Sequence, residues 1–138
     1  MVEKILAQIS SPEIGATSIF VGNVRGITSK CGTRVTDYLE YEAFTEMAEQ
    51  KMQQIGEEIK EKWPKVEKIS IVQRVEKLYP EDISVVIACN SSHRDSGIFE
   101  AAKYGIDRLK QIVPVWKKEV GPNGEEWIEG DFFPKKKE

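Results

Sequence analysis

The continuous apolar run within residues 83–90 constrains the fold of this chain more than any other feature. Its five residues from Val85 to Cys89 are all apolar, so we predict a strand at the centre of a sheet. Residues 68–75 form a second run rich in β-branched side chains. Because the two runs are separated only by a turn at residues 79–82, they are predicted to be antiparallel neighbours.

Two segments have the apolar spacing of amphipathic helices. The first is predicted to begin at a capping Thr45 and to stop at Pro64. The second is predicted to begin at Ser92 and Asp95, which have the spacing of a capping box, and to end before Pro114. The expected inward positions are Met47, Ala48, Met52, Ile55 and Ile59 in the first helix, and Ile98, Phe99, Ala102, Ile106, Leu109 and Val113 in the second.

Further strands are predicted before and after these helices. Residues 2–9 are expected to form a strand, and residues 16–25 another, in which Gly22 marks a bulge or a close approach of the backbone. Residues 35–43 alternate with the period of a strand that has one buried face. The inner positions of that strand would be Val35, Leu39, Tyr41 and Ala43, with Asp37 as a misfit.

The remaining segments are predicted to be a loop at residues 26–33, a closing hairpin of residues 115–119 and 126–130, and a tail at residues 132–138. The chain is therefore expected to be one domain of the α+β class, 1–138, in which two long helices pack on a mainly antiparallel sheet.

Composition excludes several classes of function. The net charge is −3, from 20 basic and 23 acidic residues, which argues against a general nucleic-acid binder. No apolar run approaches the roughly 20 residues of a membrane helix, and no signal peptide is recognisable, so a cytoplasmic protein is expected. Two cysteines and one histidine give little support to a disulfide framework or a metal site, and no cofactor is expected. Cys89 is expected to pack as a small hydrophobe.

The segment at residues 110–119 combines Lys110, Lys117 and Lys118 with apolar neighbours and a proline. Cations held against an apolar wall are typical of an anion pocket, although Lys110 also suits a helix C-terminus by itself. A desolvated lysine among other cations is suited to general-base or nucleophile chemistry. Glu119 is the carboxylate closest to these lysines in sequence.

His93 and Arg94 are predicted to lie in the first turn of the second helix, which favours anions. The alternative is a satisfied polar histidine beside a surface ion pair. Sixteen helical residues would separate Arg94 from Lys110 by about 24 Å. The two would then serve different sites, or the helix would break at Gly97 or Gly105, or one pocket would combine residues of two subunits.

Four blocks, in this order and spacing, resemble the large, catalytic subunit of molybdopterin synthase over nearly the whole chain. They are Gly15-Ala16 with Phe20-Val21-Gly22-Asn23-Val24-Arg25, Leu39-Glu40-Tyr41-Glu42-Ala43-Phe44 with Met47-Ala48, Ser92-His93-Arg94, and Leu109-Lys110 through Pro114-Val115-Trp116-Lys117-Lys118-Glu119.

The resemblance implies an α/β-hammerhead-like fold and a sulfur transfer that converts precursor Z, a cyclic pyranopterin monophosphate, into molybdopterin. The sulfur donor would be a small ubiquitin-like subunit whose C-terminal Gly-Gly ends in a thiocarboxylate. The assembly would be a heterotetramer built on a central homodimer of large subunits.

The resemblance also implies roles for individual residues, and these are expectations. Lys110 and Lys117 would be catalytic, facing the thiocarboxylate and the reacting carbons. The substrate-binding residues would be Arg25, His93 and Arg94 at the phosphate, Asn23 and Val24 along the strand end, and Lys118 and Glu119 in the wall. Two alternatives are a non-catalytic module that docks a ubiquitin-like tail, and an enzyme for another phosphorylated metabolite.

Overall fold

The computed structural model describes residues 1–28, 34–122 and 124–128. In this part of the chain the fold is α+β, as predicted. The elements, in chain order, are α1 (Val2–Ile9), β1 (Ala16–Asn23), β2 (Ile27–Thr28), β3 (Arg34–Val35), β4 (Tyr38–Ala43), α2 (Thr45–Lys62), β5 (Ile69–Gln73), β6 (Lys77–Leu78), β7 (Ile83–Ser91), α3 (Ile98–Ile112), β8 (Val115–Gly121) and β9 (Gly124–Ile128).

Strand β7 is the central strand of a three-stranded antiparallel sheet with the order β1-β7-β5. Every β7 residue after Ile83 is buried, which confirms the prediction from its apolar run. The pairing with β1 shifts register between Gly22 and Asn23, so the predicted bulge is confirmed. Cys89 is fully buried, and burial raises the pKa of its thiol to about 11, in agreement with a packing role.

The two faces of this sheet are covered by different helices. Helix α1 covers one face through Ile5 and Ile9, which pack with Val86 and Ala88. The prediction of a strand at residues 2–9 was wrong. Val2, Ile5, Leu6 and Ile9 all pack on this side, as they can in a helix; in a strand, Val2 and Leu6 would lie on the face opposite to Ile5 and Ile9.

Helices α2 and α3 pack on the other face and enclose the main core. Ile55 and Ile59 of α2 meet Ile98, Ala102 and other residues of α3 in one buried cluster. Two of the predicted inward positions are wrong, because Met47 is 42% exposed and Phe99 is 62% exposed. The buried positions of α3 are Ile98, Ala101, Ala102, Gly105, Ile106, Leu109 and Ile112, a stripe that leaves Phe99 on the outer side.

A second antiparallel sheet has the strand order β6-β4-β8-β9. It includes the predicted closing hairpin, here β8 and β9, with Gly121 paired to Gly124. The single sheet expected from the sequence is therefore divided, and β2 and β3 form a separate two-stranded sheet. The rest of the predicted loop (29–33, including Cys31), the end of the predicted hairpin (129–130) and the predicted tail (132–138) lie outside the described residues.

Two predicted boundaries also differ. Residues 35–43 are not one strand, because Thr36 donates its backbone N–H to Gly26 and Asp37 donates to Val120 between β3 and β4. Val35 is consequently exposed and Thr36 is buried. Thr45 is not the helix cap. The N-cap of α2 is Phe44, and no side-chain hydrogen bond caps the helix there.

Candidate active site

His93 and Arg94 lie in a turn between β7 and α3, and not in the first turn of the helix. Helix α3 begins at Ile98, so the predicted capping box at Ser92 and Asp95 was wrong. The N-cap is Gly97, which has a φ of 93°. A Cβ at this position would lie 2.3 Å from Cδ1 of Trp63, so glycine is required both by conformation and by space.

Two residues outside the turn fix its position. Gly15 donates its backbone N–H to Ser91 O at 3.0 Å, and a Cβ on Gly15 would lie 2.2 Å from Ser92 O. The fully buried Asn90 side chain donates to Ile9 O and accepts from the Lys68 backbone N–H. The end of α1, the start of β5 and the end of β7 are thereby joined directly beneath the turn.

The turn borders a surface depression of about 590 Å³. His93 and Arg94 are both exposed there, beside the exposed Lys65. Glu67 and Asp95 also line it, together with Ser91, Ser92 and Ser96. Three basic side chains therefore face one concave area. Of these three, Lys65 was not predicted from the sequence, because it lies in the loop after α2.

Asn23, Val24 and Arg25 lie at the opposite end of the three-stranded sheet. Asn23 pairs with Ile83, whereas Ala16 pairs with Ser91. Since β7 has nine residues, these two ends are about 26 Å apart. Asn23 and Arg25 are exposed, but Val24 is 3% exposed, and both of its backbone polar groups bond to the turn before β7. The Val24 side chain therefore packs in the core.

Lys110 is exposed in the last turn of α3, as predicted. The helix starts near one end of β7, because Ser18, the partner of Cys89, donates its hydroxyl to Ile98 O at 2.5 Å. Further along, Gly105 packs against Ile87. The helix thus runs toward the Asn23 end of the sheet and is continuous through Gly105, so a break at that glycine does not occur.

Lys117 and Lys118 of β8 lie on opposite faces of the second sheet, as expected for successive residues of a strand. Lys117 pairs with Tyr41 of β4, and its Nζ lies 5.9 Å from the centroid of the Tyr41 ring. Lys118 pairs with Glu40, and its Nζ lies 3.2 Å from Glu40 Oε2. Both lysines are half-buried.

Glu119 shares the Lys117 face and is 7% exposed. Its Oε1 accepts a hydrogen bond from the hydroxyl of the buried Thr36. Thr36 in turn donates its backbone N–H to Gly26, next to Arg25. The β8 segment and the end of β1 are therefore physically connected, through a threonine that the sequence pattern did not single out.

The candidate residues form two groups at opposite ends of the three-stranded sheet. Asn23, Arg25, Lys110, Lys117 and Glu119 belong to the end where α3 finishes and β8 begins, whereas His93 and Arg94 belong to the end where α3 starts. The helix includes only residues from Ile98 onward, so the helical path to Lys110 is about 18 Å and not 24 Å. The shorter path does not bring the two groups together within one chain.

Comparison with known proteins identifies the family. Residues 1–112 match the family model described as MoaE protein. The chain belongs to the MoaE protein family. The molybdopterin synthase catalytic subunit of Halalkalibacterium halodurans is 43% identical over 128 residues, which cover 93% of this chain and 79% of that protein. The subunit of the same name from Staphylococcus carnosus is 48% identical over 118 residues, covering 86% of this chain and 75% of that protein.

A solved structure agrees with these relatives. The crystal structure of molybdopterin synthase from Staphylococcus aureus superposes with a TM-score of 0.84 at 43% identity, covering 94% of this chain and 90% of that one. The resemblance read from the four sequence blocks is therefore confirmed, and this MoaE-family chain is an enzyme subunit of the molybdopterin synthase type. Within the described ranges, no helix has the length and apolar character needed to cross a bilayer.

Proposed function

We propose that this chain transfers sulfur from the C-terminal thiocarboxylate of a small ubiquitin-like subunit to precursor Z, forming the dithiolene of molybdopterin. The observation that carries the proposal is the setting of Lys117. Lys117 is half-buried, and its ammonium group lies over the ring of Tyr41, on the sheet face that also carries the buried Glu119. A cation held in this way can attract an anionic sulfur donor and an anionic phosphate ester.

We further propose the assembly in which this reaction takes place. Relatives are named catalytic subunits, which supports a second, sulfur-carrying subunit. The chain would act as a single domain in a central homodimer, with one small subunit on each side, in the cytoplasm. Such a protein needs neither a nucleic acid nor a membrane as a partner, in keeping with its net charge of −3 and its lack of a membrane-spanning helix in the described residues.

The proposed roles combine what the family resemblance implies with the position of each side chain. Lys117 or Lys110 moves protons during thiolate addition and phosphate loss, and the other stabilises developing negative charge. Arg25, His93 and Arg94 bind the phosphate, with Asn23 beside Arg25. Lys118 and Glu119 contribute to the wall, Glu119 through its bond from Thr36. Val24 contributes by packing with Leu39 and Leu78, which holds the strand end in place.

A site shared between two subunits accounts for the distance between the two groups. Arg25 and Arg94 follow opposite ends of a pair of strands about 26 Å long, which is too far for one small phosphate. In a symmetric dimer, Arg94 and His93 of one chain can complete the site that contains Lys110 and Lys117 of the other chain. The symmetry gives two such sites in each dimer.

Mixing two inactive variants tests the shared site. A dimer that contains one Lys110→Ala chain and one Arg94→Ala chain has one site with both changes and one site with neither. Random reassociation of equal amounts makes about half of the dimers mixed, so about a quarter of wild-type activity is expected. No recovery after verified subunit exchange would contradict the shared site.

The activity itself is tested by incubating the purified chain with precursor Z and thiocarboxylated small subunit, and measuring molybdopterin by chromatography. Lys110→Ala and Lys117→Ala are expected to lower turnover about 100-fold or more, with little change in affinity for the small subunit. The matched control is Lys103→Ala, an exposed lysine of α3 that pairs with Asp107. Normal turnover in both variants would refute their assignment.

The same assay separates the two alternatives. A docking module for a ubiquitin-like tail would bind the small subunit and give no product with precursor Z. An enzyme for another phosphorylated metabolite would also give no product, and its affinity for the thiocarboxylated tail would not exceed that for an unrelated acidic peptide.

A further inference from the structure

Tyr41 contacts Lys117 across the pair of strands formed by β4 and β8. The two residues are directly opposite each other on β4 and β8. The Nζ of Lys117 lies 5.9 Å from the ring centroid, within the range over which an aromatic face attracts an ammonium group. The ring therefore provides a surface on which the end of a flexible lysine side chain can rest.

The Tyr41 ring is itself held on several sides. It packs against the buried cluster of Val24, Leu39 and Leu78. The backbone N–H of Tyr41 donates to Glu76 O at 3.1 Å. Because packing and the backbone hydrogen bond already fix Tyr41, its ring loses little conformational freedom when a cation lies on it. The ring is therefore a suitable support for an ammonium group.

The phenol end of Tyr41 reaches the first sheet. Burial raises the pKa of the phenol above its ordinary value, and a hydrogen bond with Ser84 of β7 opposes that rise. The Ser84 hydroxyl donates to Gly22 O at 3.2 Å, at the bulge that immediately precedes Asn23. Ser84 thus lies at the bulge beside the strand end that carries Asn23 and Arg25.

We infer that Tyr41 is a positioning residue for Lys117, and that its ring seats the ammonium group. The inference rests on the proposed function for its effect on turnover, and on geometry alone for the contact. Ring and hydroxyl have separable contributions. Tyr41→Phe keeps the ring and removes the hydroxyl, whereas Tyr41→Leu and Tyr41→Met remove the ring and keep an apolar side chain in the cluster.

The contact can be measured without any substrate. Lysines are reductively methylated with ¹³C-formaldehyde, and the Lys117 resonance is identified by its loss in Lys117→Arg. The Tyr41 ring current is expected to displace this resonance from that of the exposed Lys103. Tyr41→Phe should keep the displacement, and Tyr41→Leu or Tyr41→Met should abolish it. An unchanged Lys117 resonance in either ring-deleted variant that folds would overturn the inference.

The second measurement is turnover with thiocarboxylated small subunit and precursor Z. The ring-deleted variants are expected to lose about 10-fold in kcat with KM changed less than about 2-fold, because the lysine is misplaced and no ligand contact is removed. Tyr41→Phe and Ser84→Ala should each lose less than the ring-deleted variants. Wild-type kcat in a folded ring-deleted variant would refute the positioning role. Failure of the wild-type chain to form molybdopterin would instead refute the proposed function and leave the NMR result standing.

Discussion

Lys118 Nζ lies 3.2 Å from Glu40 Oε2, across the β4–β8 pair and on the sheet face opposite to Lys117. Two adjacent lysines therefore have different surroundings: one faces a carboxylate, and the other lies over an aromatic ring. We therefore expect different tasks for the two lysines. Lys117 shares its face with Glu119 and with the side of β4 that packs toward the end of β1, whereas Lys118 pairs with Glu40 on the opposite face.

Replacing each lysine in turn should reveal the difference. Lys117→Ala is expected to lower turnover about 100-fold or more, and Lys118→Ala by less than about 10-fold, since the Lys118 pair with Glu40 is partly exposed and such pairs are weak. Glu40→Gln is the matched control, because it breaks the same pair from the other strand. Equal losses in Lys117→Ala and Lys118→Ala would contradict the division of tasks.

The turn that carries His93 and Arg94 depends on a glycine far away in sequence. Gly15→Ala would place a Cβ 2.2 Å from Ser92 O, and backbone must move to relieve it. We expect a loss of about 2 kcal/mol or more in the free energy of unfolding, together with a raised KM for the phosphate-bearing substrate. Urea unfolding and steady-state kinetics measure the two effects.

Gly56→Ala provides the contrast for that experiment. It lies within α2, and a Cβ there would meet nothing within 4 Å. Alanine should raise the free energy of unfolding by about 0.5–1 kcal/mol, because it restricts the unfolded chain and favours the helix. Turnover should not change. If Gly15→Ala proved as harmless as Gly56→Ala, the turn would not depend on Gly15.

A carboxylate between α2 and α3 should make stability depend on acid pH. Glu58 accepts from Arg108 at 2.9 Å, from Tyr104 at 2.6 Å and from Gln54 at 2.8 Å. The hydrogen bond from Arg108 is the main cause that lowers the pKa of Glu58 to about 2, and burial opposes it. A lowered pKa stabilises the folded state above the unfolded pKa near 4.5, and this stabilisation is lost as the pH falls toward 2.

The corresponding variant is Glu58→Gln, which should lower the free energy of unfolding by about 1–3 kcal/mol at pH 7. The difference from wild type should shrink between pH 4.5 and 2. Glu61→Gln, exposed on the same helix, is the control and should change stability little at any pH. Denaturant unfolding at several pH values measures both. A difference that stayed constant down to pH 2 would mean that the charge of Glu58 is not its cause.

The strands and long helices could be predicted from the sequence because their signals are local. The apolar run of β7 and the spacing in α2 and α3 require no knowledge of distant residues. The exception is α1, where the spacing of Val2, Ile5, Leu6 and Ile9 fits a helix but was read with the period of a strand. An eight-residue segment leaves little pattern with which to distinguish the two periods.

Features that depend on tertiary contacts could not be predicted in this way. The start of α3 is set by Gly97 against Trp63, more than 30 residues away in sequence, and a capping-box pattern at Ser92 cannot compete with that contact. The lysines of the candidate site were found because their residue types are unusual beside apolar neighbours. Tyr41 and Ser84 are ordinary strand residues and Thr36 lies in the link between β3 and β4, so their contacts become visible only when β4, β7 and β8 are assembled.

The bond between Thr36 and Glu119 permits a last prediction, in which shape and hydrogen bonding are separated. Both residues are buried, and the Thr36 hydroxyl donates to Glu119 Oε1. Thr36→Val keeps the shape and removes the donor, so a buried carboxylate loses one of its partners. We expect the free energy of unfolding to fall by about 1–3 kcal/mol. Thr36→Ser retains the donor and should lose less.

Turnover should follow the same order, because Glu119 lies on the face of Lys117, and Thr36 also bonds to Gly26 beside Arg25. Thr36→Val is expected to lower kcat about 10-fold, and Thr36→Ser less than about 3-fold. Denaturant unfolding and product formation, measured on the same preparations, test both effects. A Thr36→Val chain with wild-type stability and wild-type kcat would show that the bond to Glu119 serves neither the fold nor the site.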